Sequence, residues 1–174
     1  MPWTTPETFT AGQTLTAASM NKVSGNLTEL ANIGSSAAWT SFTPSWVAGI
    51  SSIGNATQAA AYLKVGRLVA VRFGVTMGST TTFSGTFSMT LPVAASSTAY
   101  QASSNHALGW AMVLDAGTSY YPALVRWSSS TSMVVEALNA AGTYLALSSV
   151  TATVPMTWTT NDQINGTFVY EAAA

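Results

Sequence analysis

Charge is nearly missing from this sequence. Only 6% of its residues are Asp, Glu, Lys or Arg, against about 25% in typical soluble proteins. Five basic residues cannot neutralise a row of phosphates, which argues against a nucleic-acid partner. Cysteine is absent, which removes disulfides, thiolate metal sites and a cysteine nucleophile. No run of about 18 apolar residues occurs, so no membrane-spanning helix is expected and the membrane drops out as a partner. The start lacks the basic, apolar and small-residue order of a signal peptide.

Ionisable side chains are too few for most acid–base chemistry, which needs several at close range. There is one histidine, His106, and the acids are Glu7, Glu29, Asp115, Glu136, Asp162 and Glu171. His106, Asp115 and a serine would make a triad only in name, since no Gly-x-Ser-x-Gly elbow is present. Asp115-Ala116-Gly117 reads as a hairpin turn. Glu136 and Asp162 are the pair a glycosidase would require, but nothing in the sequence brings them together. Asp162, between Asn161 and Gln163, reads as a turn residue and not a calcium ligand. The expectation is a protein that is not an enzyme, with no catalytic residue, no metal and no cofactor.

What the chain does have is apolar and uncharged polar surface. Of 174 residues, 48% are hydrophobic, mean hydropathy is +0.30 and net charge is -1. Its polarity comes from Ser, Thr, Asn and Gln. Net charge near zero favours association, so a place in a fixed assembly is expected.

Residues 1–14 read as an extended arm. Pro2 and Pro6 push the residues before them away from helix, and threonines favour extended backbone. Trp3 and Phe9 are large anchors that need a surface. Residues 15–32 carry a helix, capped by Thr14 or Thr16 and stopped near Gly34. Met20, Val23, Leu27 and Leu30 are spaced 3, 4 and 3 apart, an a/d seam on one face. A helix this short is marginal alone in water. It must pack on its own sheet or on other copies, and an oligomer interface through these four residues is the favoured expectation.

Residues 33–43 form a linker, and residues 44–174 read as one β-domain. Short β-type segments alternate with turn signals: Ser45–Ala48, Gln58–Val65, Arg67–Met77, Phe83–Leu91, Ala107–Asp115, Tyr120–Trp127, Ser132–Leu138, Tyr144–Ser148 and Gly166–Glu171. Val69, Val71, Phe73, Val75 and Met77 share one face, and Gly66 suggests a hairpin. With no second helix, the expected fold is mainly β: an antiparallel β-sandwich, jelly-roll-like, behind an arm and one short α-helix. Trp110, Tyr120, Tyr121 and Trp127 fall on one expected hairpin. They serve either as core and interface residues or as a glycan-binding platform.

The segments Trp3-Thr4-Thr5-Pro6, Phe9 to Asn21 and Asn26-Leu27 resemble the N-terminus of small virion proteins of tailed bacteriophages, notably those of actinobacterial hosts. Phe42-Thr43-Pro44-Ser45-Trp46, Gly54-Asn55, Tyr62 with Lys64 to Arg67, Phe87 to Pro92, Trp158 with Asp162, and Phe168 to Ala173 resemble the β-domain of phage tail-fibre, minor tail and head-fibre proteins. The resemblance spans nearly the whole chain. It implies a homotrimeric appendage on the virion surface, set on the capsid as a decoration or head fibre or on the tail as a minor protein. Its N-terminal segment would attach to other virion proteins through Trp3, Pro6 and Phe9. The chain lacks a long fibre shaft, which points to a compact knob. A receptor-binding protein that grips host glycans through exposed aromatics is the alternative.

Overall fold

The computed structural model describes residue 5 and residues 8–35, 39–100 and 106–173. The chain divides into two compact units, Met1–Ala38 and Trp39–Ala174, with the boundary inside the expected linker.

The first unit holds helix α1, Ala17–Ser35. It starts at Ala17 because Thr16 is its cap: the Ser19 N–H donates to Thr16 Oγ1 at 3.1 Å, and the two hydroxyls lie 3.0 Å apart. One of the first turn's free N–H groups is thereby satisfied. Ahead of it the arm makes a turn at Gly12 (φ +84°), closed by Gln13 N–H on the Thr10 carbonyl at 3.1 Å.

The second unit is mainly β. Its strands are β1 (Thr40–Ser41), β2 (Trp46–Ser52), β3 (Thr57–Val65), β4 (Leu68–Thr76), β5 (Thr82–Thr90), β6 (Ala107–Asp115), β7 (Ser119–Ser129), β8 (Ser132–Asn139), β9 (Ala146–Ser149) and β10 (Gln163–Glu171). They form one antiparallel sheet in the order β1-β3-β4-β10-β6-β7-β8-β5-β2, with β9 paired to β8. The final strand, β10, is inserted between β4 and β6.

The sheet curls until its two halves face each other, as in a sandwich. Phe73 of β4 stacks on Phe87 of β5, with ring centroids 6.4 Å apart, although several strands separate β4 from β5 in the order. Period-two alternation drives this packing. Val69, Val71, Phe73, Val75 and Met77 are all buried on one face of β4 and its extension, as the pattern predicts. Phe87, Met89, Val113, Val125, Met133 and Ile164 complete the centre. The buried Tyr170 hydroxyl donates to the Val93 carbonyl at 2.7 Å.

The β3–β4 hairpin turns through Gly66 and Arg67, flanked by the Val65–Leu68 pair. Gly66 has φ +59°, a conformation this kind of tight turn demands and glycine adopts freely.

Two elements depart from expectation. Strand β1 lies inside the segment read as linker; its two residues are too few for alternation to register. A one-turn helix, α2 (Ser97–Tyr100), follows β5, where no second helix was expected. Four residues cannot display a 3.6-residue period.

Candidate interaction surfaces

The seam on α1 faces outward. Met20, Val23, Leu27 and Leu30 are 52, 43, 62 and 54% exposed in the single chain. Ser19 and Asn26, seven residues apart and flanking the seam, are buried instead. The polarity of Asn26 gave no hint of burial. Of the expected attachment residues, Phe9 is exposed, while Trp3 and Pro6 lie outside the described residues.

A second surface is the outer face of the sheet. Pairing places Met112 opposite Pro122, Trp110 opposite Leu124, Leu114 opposite Tyr120, and Leu138 opposite Leu147. Trp110, Met112, Tyr120, Pro122 and Leu147 are exposed. Lone exposed apolar residues need no explanation, but a contiguous field of them marks an interaction surface. Beside Trp110 a shallow groove of about 440 Å³ is bordered by Arg72, Asn165 and Thr167. The Arg72 guanidinium lies 4.7 Å from the Trp39 ring centroid, a cation–π contact.

The four hairpin aromatics do not form one platform. Trp110 and Tyr120 are on the outer face, whereas Tyr121 and Trp127 pack against the core. Strand alternation dictates this split, because 120 and 121 must point to opposite faces.

The carboxylates that chemistry might have used are committed elsewhere. Glu136 is buried and holds Arg126 in a two-pronged contact, at 2.8 Å to Nε and 2.5 Å to the terminal nitrogen. That hydrogen bond raises the Arg126 guanidinium above its ordinary pKa, against the opposing effect of burial. Asp162 is fully buried. One oxygen accepts the Ala116 N–H at 2.9 Å; the other accepts the Thr159 N–H at 2.5 Å and the Thr159 hydroxyl at 3.2 Å. It pins the β9–β10 loop to the β6–β7 turn, which is the expected Asp115 turn, closed by Thr118 N–H on the Asp115 carbonyl at 2.9 Å. Among the described residues, no three His, Cys, Asp or Glu side chains gather as metal ligands.

A third feature is a cavity of about 520 Å³ between the β4–β5 connection and the β9–β10 loop. Phe83 and Trp158 line it, stacked at 4.7 Å and 6° from parallel.

No family model, curated protein or solved structure matches the chain.

The cavity was not foreseen from the sequence. Its signal was the threonine-rich run Thr151 to Thr160 around Trp158, a loop too irregular to yield a period. The stacked pair depends on Phe83, a strand away and 75 positions earlier in the chain.

Proposed function

We propose that the chain is a structural, non-enzymatic component of a tailed-bacteriophage particle, working as a self-associated trimer on the virion surface. The observation that carries this reading is the a/d seam of α1. Its four large apolar side chains are all exposed in one chain, at the spacing by which helices pack on one another. Each is already about half covered, so covering the rest contributes about half of the roughly 1.5–3 kcal/mol of full burial, which favours association of copies through the helix against its entropic cost. The trimer, and the virion as its setting, come from the resemblance of the arm, helix and β-domain segments to phage virion proteins.

The outer sheet face serves the same assembly. Its rows Met112–Pro122 and Leu138–Leu147 offer hydrophobic contact and few hydrogen-bonding groups. They suit a protein neighbour better than a glycan, and with Tyr121 and Trp127 turned inward the four-aromatic glycan platform is dropped. The arm docks on another virion protein, with Phe9 as one of its anchors.

The test is incorporation. Deleting residues 1–14 is expected to leave a folded β-domain by circular dichroism but remove the protein from assembled particles. Particles that carry the shortened chain at normal copy number would contradict the anchoring role.

A further inference from the structure

The cavity between the β4–β5 connection and the β9–β10 loop is built like a binding site. Its walls are fixed. The Met77 N–H donates to the Asp162 carbonyl and the Asn161 N–H to the Met77 carbonyl, each at 2.8 Å. Asn161 is held in the left-handed region at φ +74°, a conformation that asparagine tolerates better than most residues. On the other wall, Asn55 accepts from the Thr80 N–H and hydroxyl, both at 2.9 Å, and donates to the Ser79 hydroxyl at 3.1 Å. The Trp158 indole N–H donates to the Thr151 carbonyl at 2.8 Å, which fixes the ring's orientation.

The lining has a distinctive chemistry. No ionisable side chain contributes to it. It combines the stacked Phe83–Trp158 pair with hydroxyl groups. Among the described residues, no hydrogen bond engages the lining hydroxyls of Thr153, Thr157 and Thr160. A threonine hydroxyl both donates and accepts, so it complements a ligand whose own groups do the same. Thr153, Thr157 and Thr160 are exposed at the cavity's mouth, and an anion or cation would find no countercharge in the lining. A purely apolar ligand would leave the hydroxyls unmatched. The volume falls within the range of about 300–1,000 Å³ typical of small-molecule sites.

The geometry points to this cavity as a binding site for a neutral saccharide unit, its C–H face against the Trp158 ring, which Phe83 backs from the other side, and its hydroxyls on Thr153, Thr157 and Thr160. The site lies wholly within the sandwich, so it does not rest on the assembly reading. It is also separate from Trp110 on the outer face.

The test uses the full chain on an array of neutral oligosaccharides (hexoses, deoxyhexoses and N-acetylhexosamines) and acidic ones (uronic and sialic acids). Neutral glycans are expected to bind and acidic ones not. Bound glycans are then titrated against variants by ligand-observed NMR. The double variant Thr157→Val/Thr160→Val is expected to weaken binding at least tenfold with an unchanged melting temperature, while Trp110→Ala leaves binding intact. Trp158→Ala should abolish binding; if it fails to fold, the double threonine variant alone decides. Absence of neutral-glycan binding, binding of acidic glycans only, or full affinity in the double threonine variant would overturn the proposal.

Discussion

The two units treat the same kind of residue in opposite ways. In the β-domain, apolar side chains at every second position turn inward, and the curled sheet closes over them. On α1, apolar side chains at 3-4-3 spacing turn outward and are left about half exposed. The difference is geometric. A long antiparallel sheet can supply both layers of its own sandwich, whereas a single helix contains no second layer. The β-domain builds its buried core from one chain; the helix carries an apolar seam that stays about half exposed in the single chain.

That contrast can be broken from the β side first. Phe87 sits at the centre of an aromatic stack, 5.2 Å from Trp46, 6.4 Å from Phe73 and 6.1 Å from Phe83 between ring centroids. Phe87→Ala should cost about 3–5 kcal/mol and lower the melting temperature of the sandwich by calorimetry. The next largest effect is expected at Asp162. Replacing it with Asn turns an acceptor into a donor facing a backbone N–H, and an unsatisfied buried group costs about 1–3 kcal/mol. Amide exchange should speed up at Thr159 or Ala116 above all. Smaller still, Thr16→Ala removes the helix cap at about 1 kcal/mol. It should fray the first turn of α1 in exchange measurements and leave the sandwich's melting temperature unchanged. A sandwich that melts earlier in the Thr16 variant would contradict the separation of the two units.

Much of this fold was legible from alternation. The run from Val69 to Met77 gave both a strand and its buried face, and Gly66 marked a hairpin. The strand expectations lie within about two residues of the observed elements, except at β2, whose end Gly49–Ser52 was not recognised, and at β10, where the early part Gln163–Asn165 was not recognised. Gln163 and Asn165 are polar residues on the outward face, with only Ile164 turned inward to signal a strand. Strands of two residues and a helix of one turn carry no period and stayed invisible.

The candidate surfaces were harder to read. The helix seam was recognisable because spacing alone defines a face, but spacing cannot say whether that face is covered. For Tyr120 and Tyr121, adjacency in sequence disguised opposite directions in space. Glu136 and Asp162 gave no sign that one would clasp Arg126 and the other would pin a loop. The cavity brings Phe83 to Trp158 by tertiary contact, and no local pattern encodes such a meeting.

The most direct measurement is the mass of the full chain in solution, by sedimentation velocity, set beside that of Leu27→Asp. The account predicts a trimer for the native chain. For the variant it predicts a monomer whose sandwich keeps its stability to within about 0.5 kcal/mol, because the substituted residue is exposed in the single chain. A native chain that sediments as a monomer at every concentration, or a Leu27→Asp chain that stays trimeric, would contradict the claim that α1 is an assembly seam.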